Sequence, residues 1–208
     1  MKRVTRSISQ VKPVLWGCST NAIAVWQTPH MGLSASPFSF RDQLAFYGAY
    51  HTNRVNVGIH ILCVPLIWVS TLGLVLQSGV SVTALVTQMP SVVRSPALHG
   101  LGELQSIVPA YVYPHLNVAS LVSFLYLMYY YVLDIPSALL ITPLWAGYYA
   151  LAWVGAEVLQ GRSGPLLAVF VLSWLLQFYG HGVHEGRAPA LLDNLLGAVV
   201  LAPLFVFI

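Results

Sequence analysis

The sequence is poor in charged residues. Only 7% of its 208 residues are Asp, Glu, Lys or Arg, whereas roughly 25% of an average soluble domain is charged. Nine basic and six acidic side chains are too few to cover the surface of a 22.7 kDa globule in water. Since 57% of the residues are hydrophobic, the composition excludes an ordinary soluble enzyme and predicts an integral membrane protein.

Cysteines and basic clusters are also scarce. Cys18 and Cys63 are the only cysteines in the sequence, which excludes both a disulfide framework and a cysteine metal cluster. The pI is near 9.0, but four of the nine basic residues lie in the first twelve positions and no basic stripe follows them. Nucleic-acid binding is therefore not expected. Any chemistry must use His, Asp, Glu and Tyr side chains.

The first 37 residues contain Lys and Arg but no acidic residue, which is typical of a disordered tail or an organelle targeting segment. The predicted membrane domain occupies residues 38–208. At its start Ser39 and Asp42 have capping-box spacing, and apolar residues then recur at helical intervals. We expect a short amphipathic helix over residues 40–51 at the membrane surface, interrupted at 52–54.

Four or five apolar spans follow, each close to the roughly 20 residues that a helix needs to cross the hydrocarbon. They lie at 57–77, 116–133, 138–159, 166–178 and 191–208. The proline-rich stretch 78–115 is predicted to be a loop or an insertion. Lipid tolerates only helices or closed barrels, and these spans lack the alternation of barrel strands. The expected fold is therefore an all-α polytopic membrane bundle of four to five spans.

Counting the membrane crossings predicts that many of the polar residues lie on one side of the membrane. The side on which the first span begins also receives the turn after the second span and the segment after the fourth. The residues on that side include His51, His60, Asp134, His181, His184, Glu185 and Asp193. Ionisable groups in an apolar bundle are costly and are candidates for function. Several imidazoles with a carboxylate suit a divalent transition metal, and both Zn²⁺ and Fe²⁺ fit these ligand types.

The spacing of the histidines sets a condition on any shared metal site. His51 and His60 are nine residues apart, which places them on opposite faces of one continuous helix. Both can reach one metal only if the break at 52–54 reorients the chain. His181, His184 and Glu185 have i, i+3 and i+4 spacing, so they share one face if the helix continues there.

Two acidic residues have structural interpretations. Asp134 stands two residues before Pro136 in a tight turn between the second and third spans, and we expect it to cap a helix there. Asp193, with Asn194 beside it, opens the last span. These two side chains are predicted to orient a ligand histidine by hydrogen bonding to it.

Two motifs contain most of these residues. Residues 46–60 read Phe-Tyr-Gly-Ala-Tyr-His-Thr-Asn-Arg-Val-Asn-Val-Gly-Ile-His, and Val64-Pro65 follows them. Residues 177–195 read Gln-Phe-Tyr-Gly-His-Gly-Val-His-Glu-Gly-Arg-Ala-Pro-Ala-Leu-Leu-Asp-Asn-Leu. Together they resemble the signatures of the fungal membrane 2-hydroxy fatty acid dioxygenase family. The resemblance covers the chain from about residue 40 to its C-terminus.

The resemblance implies an endoplasmic-reticulum membrane enzyme that uses Fe²⁺ and O₂ to shorten a 2-hydroxy fatty acid by one carbon. This is the α-oxidation step of phytosphingosine degradation. By motif, the iron ligands correspond to His51, His60 and His181, with Glu185 as a fourth ligand or a catalytic base. The family commonly has an aromatic residue at the position of His184, so His184 is not expected to be an essential ligand.

The substrate and the membrane add two expectations. A fatty acid has an anionic head, and Arg187, two residues beyond Glu185, is predicted either to hold its carboxylate with two parallel hydrogen bonds or to anchor the helix end to lipid headgroups. The Lys and Arg bias of the connecting segments predicts that the site faces the cytosol. Two other functions fit the same residues: a zinc-dependent membrane hydrolase, and a non-enzymatic transporter or scaffold.

Overall fold

The computed structural model describes residues 36–82, 109, 112–186 and 196–208, and these residues form helices and turns without a strand. The α-helices are α1 Phe40–Ala49, α2 Arg54–Gln77, α3 Val118–Leu133, α4 Ile135–Leu159, α5 Gly164–Tyr179 and α6 Ala202–Phe205. Two π-helical turns, Gly180–Glu185 and Leu196–Leu201, and the 3₁₀ turn Tyr113–His115 complete the described elements. The predicted all-α fold is confirmed.

Three of the helices are long and apolar enough to cross a membrane. They are α2, α4 and the continuous segment Gly164–Glu185, in which the π-helical turn extends α5 to 22 residues. The predicted span at 166–178 is therefore longer than expected. Helix α3 is a shorter apolar helix. The predicted span at 191–208 lies partly outside the described residues, and its described part forms the second π-helical turn and α6.

The contacts of Gly73 and Gly180 help to establish the relative directions of the long helices. A Cβ atom on Gly73 of α2 would lie 3.0 Å from Leu166 at the start of α5 and 3.7 Å from the backbone of Ala152 late in α4. At the other end of α2, Asn56 contacts Gly180, just after α5. Trp68 also contacts Trp145 earlier in both helices, so α2 and α4 are parallel, and α5 is antiparallel to both. This order agrees with the crossing count made from the sequence.

Aromatic side chains fill the centre of the bundle. The Trp68 and Trp145 rings stack with centroids 4.5 Å apart, and Tyr126 and Tyr130 pack beside them. The Tyr130 hydroxyl donates a hydrogen bond of 2.6 Å to the carbonyl of Val200. Because Tyr130 is fully buried, this bond ties the C-terminal segment to the core.

The helix boundaries near the site follow from capping residues. The Ser39 side chain accepts a hydrogen bond from the backbone of Asp42 at the start of α1, and the Asn53 side chain accepts one from Val55 at the start of α2. Between them α1 ends at Ala49. The predicted short helix and the break after it are both confirmed, and its place at the membrane surface stays a prediction.

Asp134 is a helix cap, as predicted. Its carboxylate accepts a 2.9 Å hydrogen bond from the backbone N–H of Ser137, and Pro136 lies in the first turn of α4. The hydrogen bonds from Ser137 hold the pKa of Asp134 below its ordinary value. The cap allows α3 and α4 to reverse direction within a single residue.

Candidate metal centre

Three histidines from three separate segments meet at one point. His51 follows α1, His60 lies in the second turn of α2, and His181 lies in the π-helical turn after α5. One ring nitrogen from each lies within 4.8 Å of the others, and the ring centroids are 4.4 to 4.9 Å apart. His60 is 4% exposed and His181 is 3% exposed. This spacing allows one metal ion to be held among the three rings.

Two local features of the backbone bring the rings together. The break between α1 and α2 turns the chain, so His51 and His60 face each other although nine residues separate them. The π-helical turn begins at Gly180, which packs directly against Asn56 of α2 with no room for a side chain. Short π-helical segments within α-helices are frequent at functional sites. Here the close approach of α2 and α5 places His181 opposite His60.

Hydrogen bonds to the backbone determine which ring nitrogen of two histidines is available. His51 Nδ1 lies 2.6 Å from the carbonyl oxygen of Tyr47, and His60 Nδ1 lies 2.9 Å from that of Asn56. A carbonyl oxygen only accepts, so Nδ1 is the protonated nitrogen and Nε2 keeps its lone pair. His51 Nε2 is buried and has no hydrogen-bond partner among the described residues. Metal-binding histidines commonly have this arrangement.

His51 is held in the neutral form that a metal requires. Burial is the largest effect, and together with the proximity of His60 and His181 it lowers the pKa of His51 to about 3. The carbonyl of Tyr47 and the carboxylate of Glu185 act in the opposite direction but are weaker. At neutral pH the imidazole therefore binds a cation without first losing a proton.

The carboxylate of Glu185 binds the N-terminal end of α2. Its Oε1 accepts hydrogen bonds from the backbone N–H groups of Thr52 and Asn53, both at 2.7 Å, and from Asn56 Nδ2 at 3.2 Å. Its Oε2 accepts from the Thr52 hydroxyl at 2.8 Å. Glu185 is outside the group of three close ligand atoms. It joins the π-helical turn that holds His181 to the break between His51 and His60.

The sequence assigned no role to Thr52, Asn53 and Asn56, although all three stand in the first motif. The sequence feature that could have identified them is the run of polar residues at the start of a membrane span. Asn53 also donates a hydrogen bond of 3.0 Å to the carbonyl of His184. Together these side chains form a polar link between the N-terminal end of α2 and the π-helical turn after α5.

The other predicted site residues are placed differently or are not described. The His184 ring contacts Tyr179 and lies outside the histidine group, because the wider π-helical turn does not keep the i, i+3 face of an α-helix. Arg187, Asp193 and Asn194 lie outside the described residues, so their roles stay predictions. His115, to which the sequence assigned no chemistry, lies elsewhere, with Nδ1 3.3 Å from the Tyr149 hydroxyl.

A cavity opens beside the three rings. It is lined by Phe46, Tyr47, His51, His60, Trp174, Gln177, Phe178, His181, Gly197, Ala198 and Ala202. Its volume is about 30 Å³, which is enough for an ion or a water molecule and too little for an alkyl chain. A long apolar ligand must therefore continue out of the cavity along the helix surfaces.

Comparison with known proteins places the chain in a family. A family model described as 2-hydroxy-palmitic acid dioxygenase Mpo1-like matches residues 38–208. The chain belongs to this Mpo1-like family. It is 34% identical over 170 residues to the 2-hydroxy-palmitic acid dioxygenase MPO1 of Saccharomyces cerevisiae, covering 80% of this chain and 76% of that protein. No solved structure matches it. The family resemblance read from the two motifs is confirmed, and all three histidines lie within the matched residues.

Proposed function

We propose that this chain is a membrane dioxygenase that acts on 2-hydroxy fatty acids with an Fe²⁺ ion held by His51, His60 and His181. The observation that supports the proposal is the meeting of three imidazoles within 4.8 Å in a chain of the Mpo1-like family. The protein of Saccharomyces cerevisiae that it resembles is named for a 2-hydroxy-palmitic acid dioxygenase activity.

The three histidines fit a divalent transition metal. Imidazole nitrogens suit iron, zinc and copper, and the two Nδ1 hydrogen bonds to backbone carbonyls fix the orientation of the His51 and His60 rings. With three protein ligands, a ferrous ion would keep positions open for the substrate head and O₂ and would supply the site of O₂ activation. The 2-hydroxy acid itself would supply the electrons that reduce O₂. Its carboxyl carbon would leave as CO₂, and the expected products are water and a fatty acid shortened by one carbon.

The remaining residues of the site exclude water and guide the alkyl chain. Phe46, Trp174 and Phe178 give the cavity an apolar wall, which limits side reactions with solvent. Small residues of the C-terminal segment, Gly197 and Ala198, line the wall opposite α5. We expect the alkyl chain to leave between these two elements toward the lipid. Each buried methylene contributes roughly 0.8 kcal/mol relative to water, and less for a substrate already dissolved in the bilayer.

Glu185 in this proposal is a positioning residue. Its two oxygen atoms already accept four hydrogen bonds from the α2 end. We propose that it holds the break and the π-helical turn at the distance that the three ligands need. We also propose that the enzyme lies in the endoplasmic reticulum with this site toward the cytosol, where it serves fatty acid α-oxidation in phytosphingosine degradation.

Anaerobic purification tests the proposal directly. The full chain should contain about one iron per protein and consume O₂ with 2-hydroxypalmitate but not with palmitate, giving a fatty acid one carbon shorter. His51→Ala, His60→Ala and His181→Ala should lose both iron and O₂ uptake, whereas the control His115→Ala should keep both. Equimolar zinc without O₂ uptake would identify a hydrolase. Absence of both metal and turnover would leave a transporter or scaffold.

A further inference from the structure

Gln177 is a buried polar residue in the apolar part of the cavity. It lies in α5, four residues before His181, and both residues border the same cavity. The side chain is 7% exposed, it lines the cavity, and its Nε2 is buried without a hydrogen-bond partner among the described residues. We propose that Gln177 binds the carboxylate of the 2-hydroxy fatty acid and thereby positions the substrate head beside the three histidines. This inference rests on the proposed function.

The chemistry of the Gln177 amide determines which kind of group it can bind. A buried amide nitrogen is unfavourable unless it is hydrogen-bonded, and an amide N–H donates only, so its partner must be an acceptor oxygen. No Lys or Arg lines the cavity within the described residues. A carboxylate entering the cavity therefore finds the Gln177 amide as a donor on α5. A neutral donor can bind an anion without placing a second permanent charge in an apolar wall.

Position distinguishes Gln177 from Gln77, a half-buried residue whose amide atoms are also buried. Both amide atoms of Gln77 also lack partners among the described residues, so an unpaired amide does not by itself identify a site. Gln77 is the last residue of α2, more than four helical turns beyond His60, and it is not part of the cavity lining. The combination of burial, an unpaired donor and a place in the histidine cavity belongs to Gln177. Gln77 provides a matched control.

Substrate binding without turnover measures the effect. The iron-loaded full chain in lipid nanodiscs is kept anaerobic, and dissociation constants are measured for 2-hydroxypalmitate and for 1,2-hexadecanediol, which has the same chain and hydroxyl but no carboxylate. Gln177→Met keeps the length of the side chain and removes the donor. Because a hydrogen bond to a charged group is lost, the Kd for 2-hydroxypalmitate should rise about tenfold to hundredfold. The Kd for the diol should change by less than about threefold, within the spread of an uncharged contact.

The controls separate this inference from the proposed function. Gln77→Met should bind both ligands as the unmodified chain does, and iron content should be equal in all three proteins. If the unmodified chain does not bind 2-hydroxypalmitate, the proposed function itself fails. If that chain binds it and Gln177→Met binds it equally well, Gln177 is not the carboxylate partner. Equal weakening for acid and diol, or loss of iron from Gln177→Met, would also overturn the inference, because the residue would then support the cavity as a whole.

Discussion

Gly180→Ala should weaken metal binding although it removes no ligand. A Cβ atom at this position would lie well inside van der Waals contact with Asn56 Oδ1 and 3.3 Å from both Asn56 Cγ and Ile59 Cδ1. Asn56 is fully buried, so its short side chain cannot move into solvent. The added methyl group must therefore separate α5 from α2 or displace Asn56. Either movement disturbs the contact that sets His181 opposite His60.

The size of the effect follows from the cost of overpacking. An extra methyl group in a tightly packed region costs about 1–3 kcal/mol. In the metal-free protein the strain is relieved by moving the helices apart, and metal binding must reverse that movement. The apparent affinity for Fe²⁺ should therefore fall by a factor of about 5 to 150. Replacing Gly by Ala also favours a helical backbone by roughly 0.5–1 kcal/mol, which acts in the opposite direction on stability.

A competition titration between the protein and a calibrated Fe²⁺ chelator, under anaerobic conditions, measures this affinity. Gly182→Ala is the matched control because it lies in the same π-helical turn, gains the same backbone preference, and has no atom within 4 Å of the added Cβ. Gly182→Ala should bind iron as tightly as the unmodified chain. The reasoning is refuted if Gly180→Ala and Gly182→Ala bind iron equally well.

Three further predictions concern the surroundings of the histidines. Glu185→Ala should lower iron affinity about tenfold or more, since the donors at the α2 end, among them the buried Asn56 amide, lose their acceptor. A high concentration of Fe²⁺ should restore occupancy, in contrast to His181→Ala, and identical titrations for the two variants would contradict a positioning role. His184→Phe should keep full iron content because its ring lies outside the histidine group, and iron loss measured by atomic absorption would show that it binds the metal. In a background without Cys18 and Cys63, cysteines introduced at Ser36 and Ser163 should react with an impermeant maleimide from opposite sides of the membrane, with Ser36 on the cytosolic side. Labelling of both positions from the same side would contradict the crossing count.

The helical architecture and the histidine set were accessible from the sequence because they depend on local chemistry. Long apolar segments predict helices in lipid whatever they pack against, and Ser39 and Asp134 cap helices through hydrogen bonds that span only three residues. The break after α1 was required if His51 and His60, nine residues apart, were to reach one metal. Family motifs then identified His181 as the third member of the set.

The roles of Glu185, His184 and Gln177 depended on the tertiary structure. An i, i+4 spacing suggested that Glu185 shares a face with His181, but the π-helical turn changes the angular relation between successive residues. The carboxylate instead reaches Thr52, more than 130 residues earlier in the chain, and no sequence period encodes such a contact. The sequence by itself determined the membrane class, the helices and the residues able to bind a metal. Which polar groups face that site was decided by how closely α2 and α5 pack at Gly180, because burial and hydrogen bonding are properties of neighbours in space.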